Sequence, residues 1–180
     1  ANGASGLSII DVSNPAHLAE VGSCDTPGNA VDVAIASNYA YVADGNSGLH
    51  IINVSNPAHP TEVGFYDTAG NAQSVAVAGD YVYVADGTNG LRVINISDRA
   101  HPVESGFYAL EALRVQVANG YIYVAGNTSG LVVLHRHAES HIELVSQLGG
   151  YMNGVAVQDN HAYVGIGPSL VVLDKSTPSH

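Results

Sequence analysis

Gly48-Leu49-His50-Ile51-Ile52-Asn53 is the stretch that decides the fold, because four other segments of the chain repeat its pattern. Three of them also open on a Gly-Leu pair, and the last, altered copy opens on Ser169. The leucines of the five copies are Leu7, Leu49, Leu91, Leu131 and Leu170, so the repeat length is 42, 42, 40 and then 39 residues. A period of about 40 residues is typical of radial arrays in which four short strands make one unit.

One repeat contains four β-strand signals separated by turn residues. Gly and Pro interrupt the chain every 8 to 12 residues or so, and apolar residues do not recur at helical spacing, so the prediction is all-β. In one complete unit the predicted strands are 31–36, 39–44, 49–54 and 61–67. The last begins only after Pro60, because proline cannot donate to a strand ladder. Apolar residues fall on both strand faces, as expected when each small sheet packs between two others.

The repeats predict a single domain over residues 1–180 that contains an unequal number of strands. The predicted units are 6–25 (half), 30–67, 72–108, 112–148 and 152–174 (incomplete). They contain seventeen strands, one more than four four-stranded units need. Because the numbering begins partway through a unit, we expect a processed protein or a piece of a longer polypeptide. Two readings stay open: a segment of a larger ring, or a spare strand, 7–12 or 170–174, that completes a neighbouring copy.

Two further motifs carry a family resemblance. Leu-Ser-Ile-Ile-Asp-Val-Ser-Asn-Pro at 7–15 returns in related form at 49–57, and Tyr-x-Tyr-Val-Ala-Asp-Gly stands at 39–45 and 81–87. The chain thereby resembles the LVIVD repeat. The resemblance implies a β-propeller of four-stranded antiparallel blades, here partial, with about four blades plus an extra strand, of the kind found in exported or surface proteins of bacteria and archaea. The absence of Trp excludes a WD40 propeller.

The repeat changes toward the C-terminus. Arg99 replaces the proline of the outer turn in the third copy, and residues 135–141 replace the Asp-Val-Ser-Asn-Pro segment in the fourth. The outer turn of the fourth unit is therefore expected to differ from the others.

Composition excludes several classes of partner. Sixteen acidic residues against five basic ones give a net charge of −11, which repels nucleic acids and anionic lipids. No apolar run is long enough to cross a bilayer, so membrane insertion is not expected. The only cysteine, Cys24, cannot form an internal disulfide. The acidic, Gly-rich and Tyr-rich composition favours an extracellular or cell-surface location.

No enzyme motif stands in the sequence, and no cofactor is predicted. We therefore expect a non-enzymatic scaffold for protein–protein or cell-surface interaction, whose partner is another protein or, through open blade edges, the chain itself. One alternative is a hydrolase or lyase in the central channel, with Asp32, Glu111 and Arg114 as acid, base and anion clamp. Another is a fragment of a larger multi-bladed surface protein.

Candidate ligand-binding residues lie where the chain enters the first strand of each unit, which in propellers faces the channel. Alignment on the second-strand tyrosines places unequal polar residues in register, which predicts a pocket. The alternative is variation tolerated at a solvated rim. The candidates are Asn29, Asp32, Asn71, Ser74, Glu111 and Arg114, with Tyr151 and Gly154 at the equivalent places of the last unit.

Nine histidines raise the question of a metal site. His17, His59, His101 and His141 recur once per unit, too far apart to converge on one ion, and are interpreted as turn residues. A different group, His135, His137 and His141, could bind one metal ion, because residues i and i+2 of a strand point the same way. The alternative is that all three are solvated.

Two recurrent acidic positions have structural interpretations. The loop at 44–48 resembles a calcium loop only weakly and is interpreted as a tight Asx-type turn. A glutamate recurs in the fourth strands, where it is expected to discourage edge-to-edge pairing with other molecules: Glu20, Glu62, Glu104 and Glu143.

Overall fold

The computed structural model of the chain describes residues 1–137 and 141–174, and over these residues the chain forms seventeen β-strands. In chain order they are β1 (Leu7–Asp11), β2 (Ala19–Cys24), β3 (Asp32–Ala36), β4 (Tyr39–Ala43), β5 (Leu49–Asn53), β6 (Thr61–Tyr66), β7 (Ser74–Ala78), β8 (Tyr81–Ala85), β9 (Leu91–Asn95), β10 (Val103–Tyr108), β11 (Arg114–Ala118), β12 (Tyr121–Gly126), β13 (Gly130–Arg136), β14 (Ile142–Leu148), β15 (Met152–Gln158), β16 (His161–Ile166) and β17 (Ser169–Asp174). No helix in the described part of the chain is long and apolar enough to cross a membrane.

The strands form five antiparallel sheets in which neighbours in sequence are neighbours in space. Sheet 1 contains β1 and β2, sheets 2 to 4 contain β3–β6, β7–β10 and β11–β14, and sheet 5 contains β15–β17. The first strands of sheets 2 to 5 contact one another in succession. The predicted all-β fold, with four-stranded antiparallel blades and an incomplete unit at each end, is confirmed. The array is open and not closed into a ring. Residues 138–140 of the predicted fourth unit lie outside the described residues.

Apolar residues occupy both faces of each sheet because both faces are buried. In sheet 2, Tyr41 and Leu49 belong to the core shared with sheet 3, whereas Ala40 and Val42 belong to the core shared with sheet 1. All four side chains are fully buried. Strict polar–apolar alternation is therefore absent from the sequence because each sheet packs between two others.

The glycine of the Gly-Leu motif is required by its backbone and by its surroundings. Gly6, Gly48, Gly90 and Gly130 have φ between +70° and +94°, a region that L side chains rarely adopt. A Cβ at any of them would collide with a carbonyl oxygen at the end of the next strand of the same sheet: β2, β6, β10 or β14. In sheet 5 Ser169 takes this place, and among the described residues that sheet has no fourth strand.

Consecutive sheets are joined by backbone pairing and by a buried aspartate. Gly45 and Ala72 exchange two backbone hydrogen bonds of 3.2 and 2.9 Å, and the same bridge recurs between the other early sheets. Asp44 accepts from Thr26 Oγ1 and from the Gly28 N–H, each at 2.7 Å. The Asp44 carboxylate therefore binds the segment that connects sheet 1 to sheet 2, and these two hydrogen bonds are not those of the local Asx turn that the sequence suggested.

Candidate functional site

Two of the predicted pocket residues, Asp32 and Ser74, meet, and they connect three sheets. Ser74 Oγ donates to Asp32 Oδ2 at 2.8 Å, and the Val75 N–H donates to the same oxygen at 3.0 Å. The Val115 N–H in turn donates to Ser74 Oγ at 3.3 Å. Ser74 is buried and Asp32 half-buried. The two polar side chains at the start of β3 and β7 are thus engaged in holding the first strands together.

Arg114 and Glu111 do not join this pair. The Arg114 guanidinium donates to the backbone carbonyls of Leu113 (2.8 Å) and Gln73 (3.4 Å). Glu111 Oε2 accepts from the backbone N–H and the hydroxyl of Thr128 at 3.3 and 3.2 Å. Asp32, Glu111 and Arg114 are therefore each bound to a different partner, in an arrangement unlike an acid, base and anion clamp around one substrate.

Glu111 and Thr128 form the same kind of hydrogen bond as Asp44 and Thr26, but the acid and the hydroxyl have exchanged places between the turn and the connecting segment. In sheet 2 the aspartate lies in the turn and the hydroxyl of Thr26 comes from the connecting segment; in sheet 4 the acid lies in the connecting segment and Thr128 in the turn. The sequence shows this exchange only as the loss of an Asp at Gly126.

The other predicted rim residues contribute through their backbone or lie exposed. The Asn29 N–H donates to the Asp44 carbonyl at 3.3 Å, and Asn71 precedes the bridging Ala72. Tyr151 is exposed, and Gly154 lies in β15. Two cavities described below are lined by other residues, and ligand binding at this rim stays a prediction.

A buried polar cluster that the sequence analysis missed lies between the third and fourth strands of sheet 2. His50 is almost completely buried, with Nδ1 2.7 Å from Glu62 Oε2 and Nε2 3.6 Å from Asp44 Oδ2. Its ring stacks on Phe65, with centroids 5.8 Å apart. The cluster borders a hollow of about 320 Å³. Because both ring nitrogens of His50 face carboxylates, neither is directed at a substrate.

Sheet 3 contains the same cluster with an arginine in place of the histidine. Arg92 lies 3.7 Å from Asp86 and 3.4 Å from Glu104, with its guanidinium carbon 5.4 Å from the Phe107 ring centroid. Burial raises the pKa of Asp86, against the opposing effects of the Thr68 hydroxyl and Arg92. The signal that could have revealed the cluster is a histidine or arginine directly after the leucine of the motif, combined with the glutamate of the fourth strand.

Two of the glutamates that recur in the fourth strands also bind side chains of their own sheet. Sheet 4 departs from this pattern. The fourth strands do lie at the outer edge of sheets 1 to 4, as predicted. Glu62 and Glu104, however, bind the His50 ring and the Arg92 guanidinium of their own sheets. They oppose Ile52 and Ile94, whereas in sheet 4 the equivalent Leu134 opposes Leu144, which leaves Glu143 one position away.

The shifted Glu143 lies within a group of histidines at the outer corner of sheet 4. His137 Nε2 is 2.8 Å from Glu143 Oε2 and 3.4 Å from His135 Nδ1. One donor atom from each of these three residues lies within 4.8 Å of the others. His141, the third ligand expected from the sequence, lies beside them with its ring centroid 5.8 Å from that of His137. Hydrogen bonding from His137 lowers the pKa of Glu143, with the nearby histidine charges as further causes.

The open C-terminal end of the array contains the larger cavity. A groove of about 580 Å³ runs between sheets 4 and 5 and is lined by Val145 and Leu148 of β14 and by Leu173 of β17, among others. β17 forms the outer edge of sheet 5 in the described chain. Its first leucine, Leu170, is 70% exposed, whereas the equivalent Leu49 and Leu91 are fully buried.

Comparisons with known proteins agree with this architecture. The model of the LVIVD repeat matches residues 1–26, 27–68, 69–110, 111–145 and 149–180. Comparison with curated proteins gives no match. Among solved structures, the crystal structure of the computationally designed Ika8 protein superposes with a TM-score of 0.69 at 9% identity, over 88% of this chain and 50% of that one. This chain spans about half the length of that structure, and the likeness concerns the fold alone.

Proposed function

Because this chain belongs to the LVIVD repeat family over five consecutive repeats, we propose that it is a non-enzymatic scaffold that pairs with a second copy of itself. In this pairing, β1 and β2 of one copy complete sheet 5 of the other and displace β17. The single observation that carries the proposal is the complementarity of the two incomplete sheets: sheet 5 has first and second strands, and sheet 1 is a third and fourth strand without them. Display at a cell surface stays a prediction.

Burial distinguishes the two strands that compete for the third position of the completed sheet. Leu7 of β1 is 4% exposed, because it already packs against sheet 2. Leu170 of β17 is 70% exposed. β1 is thus covered by a following sheet and β17 is not, so displacing β17 uncovers little apolar area.

The glycine of the Gly-Leu motif also favours β1 over β17 as the third strand of the completed sheet. A third strand that has a fourth strand beside it requires glycine just before its leucine, because a Cβ would meet the fourth-strand carbonyl. β1 follows Gly6, but β17 begins at Ser169. β17 therefore cannot accept a fourth strand in the geometry of the repeat, whereas β1 already pairs with β2 in that geometry.

The outer face of sheet 1 suits the groove at the other end of the array. Ile10, the counterpart of Ile52, which packs toward the preceding sheet, is 42% exposed. The groove beside β14 is lined in part by Leu131, Val133 and Val145. Closing two copies in this way removes both apolar surfaces from water in two equivalent contacts, as in a two-fold symmetric dimer.

The repeat register provides a direct test. Tyr39 opposes Asn53 in sheet 2, so Asp11 of one copy should oppose His161 of the other in the completed sheet. Opposed cross-strand residues have the spacing that a disulfide needs. We expect a protein that carries Asp11→Cys and His161→Cys, with Cys24→Ser, to form an intermolecular disulfide dimer on mild oxidation. Each single-cysteine protein is the control for random cross-linking, and absence of a dimer specific to the pair argues against the register.

Light scattering after size exclusion tests the assembly itself. We expect twice the 18.5 kDa chain mass. Removal of residues 169–180 should leave the dimer intact, because β17 competes with β1, whereas removal of residues 1–25 should give monomers. If copies associated only through non-specific contact of exposed apolar residues, removal of residues 169–180 should instead weaken the dimer. A folded monomeric wild type, or loss of the dimer on removing residues 169–180, overturns the proposal.

A further inference from the structure

We propose that the outer corner of sheet 4 is a Zn²⁺ site formed by His135, His137 and Glu143, with water as the fourth ligand. The inference does not depend on the assembly of two copies. Two imidazole nitrogens and one carboxylate oxygen lie within 4.8 Å of one another, supplied by His135 in β13, by His137 just after β13 and by Glu143 in β14.

The site occupies a corner that the other sheets stabilise differently. At the end of the third strand, Asn53 Oδ1 accepts from the Ser55 N–H at 2.9 Å, and Asn95 and Asp11 make the same contact with Ser97 and Ser13. His135 stands in their register position, since it opposes Tyr121 as Asn53 opposes Tyr39. An imidazole cannot form the same Asx turn. A metal ion shared by β13 and β14 would instead connect the two strands.

The distances between the donor atoms suit one zinc ion. Tetrahedral zinc with bonds of about 2.0–2.1 Å places neighbouring ligand atoms roughly 3.3 Å apart. His135 Nδ1 and His137 Nε2 are 3.4 Å apart, and Glu143 Oε2 is 2.8 Å from the same His137 nitrogen. The second distance is that of a hydrogen bond, so metal binding replaces the proton between His137 and Glu143 and moves the carboxylate slightly outward.

Charge and exposure favour a transition metal ion over calcium. Two nitrogen donors with one carboxylate suit Zn²⁺, whereas calcium takes oxygen ligands. The side chains of His137 and Glu143 are 45% and 55% exposed, which gives an ion and its water access to the site. The net charge of −11 attracts cations.

The test is titration of the full chain with Zn²⁺ in competition with a chromophoric chelator. We expect one Zn²⁺ per chain, and binding weakened about tenfold or more by His137→Ala and by Glu143→Gln, the latter a change of nearly equal shape. Co²⁺ in place of Zn²⁺ should give the visible absorption of a tetrahedral site in the wild type only.

His101→Ala is the matched control. His101 is also a corner histidine beside a carboxylate, 3.0 Å from Asp98, but without a second imidazole. Its substitution should leave Zn²⁺ binding unchanged. Absence of Zn²⁺ binding by the wild type at micromolar concentrations overturns the proposal. Binding that survives His137→Ala, or that falls equally in His101→Ala, also overturns it, because the ion would then be held by scattered surface histidines.

Discussion

Gly48 offers the most direct test of why the repeat carries its Gly-Leu motif. Gly48→Ala forces a side chain into φ +78° and directs its Cβ at the Tyr66 carbonyl, which belongs to the adjacent strand β6. Gly79→Ala is the matched control, because Gly79 has φ +59° but no atom within 4 Å of the added Cβ. The two variants share the conformational strain and differ in the collision.

The expected magnitudes follow from these two contributions. An L residue in the left-handed region costs about 1–2 kcal/mol, which is the whole expected loss for Gly79→Ala. Forcing a methyl group against a neighbour adds about 1–3 kcal/mol, and about 2 kcal/mol, the middle of that range, is used here. Gly48→Ala should therefore lose about 3–4 kcal/mol of unfolding free energy.

Urea denaturation monitored by circular dichroism and tyrosine fluorescence gives both values from the shift in midpoint. With a slope of about 2 kcal/mol per molar, the two variants should differ by roughly 1 M in midpoint. Equal losses would refute the reasoning. They would also remove the argument that Ser169 prevents β17 from accepting a fourth strand.

The remaining predictions concern polar contacts. Asp44→Ala should cost about 3–5 kcal/mol in urea denaturation, because it removes two short hydrogen bonds to a buried charge, whereas Thr26→Ser keeps the hydroxyl and should cost far less; similar losses in the two variants would contradict this. Asp86 has a pKa raised from 3.8 by burial, so the folded state binds more protons than the unfolded state in the range between 3.8 and the raised value. Stability should therefore fall as the pH rises through that range, and Asp86→Asn should remove this part of the pH dependence of the urea midpoint; an unchanged slope would count against it. Arg114→Ala should cost less than about 1 kcal/mol, because the exposed guanidinium donates only to backbone carbonyls, and a loss above about 2 kcal/mol would show a contact of a different kind.

Local sequence signals were sufficient for the strands and their order. Gly and Pro mark turns through their backbone chemistry alone, and the spacing of Leu49 and Leu91 reports the repeat whatever lies around it. The strands predicted at 31–36 and 39–44 are found at Asp32–Ala36 and Tyr39–Ala43, within a residue or so of the expected ends. Apolar residues on both faces of the strands likewise predicted that the sheets pack against one another.

The side-chain partners were beyond such reasoning, because they join residues a whole repeat apart. Asp32 and Ser74 were placed in register by alignment, but only the packing of β3 against β7 shows that they hydrogen bond to each other. Glu143 was assigned to the glutamate series by spacing, and the irregular pairing of β13 with β14 moves it beside His137.

Sequence by itself determined the repeat, the strand pattern and the excess of one strand, since these depend on periodicity and on backbone preferences that each residue carries with it. Only the tertiary structure decided which of the two competing third strands is packed, since burial of Leu7 and exposure of Leu170 depend on neighbouring sheets. The same holds for the corner cluster, because distances between side chains on adjacent strands arise from the register and bend of the sheet.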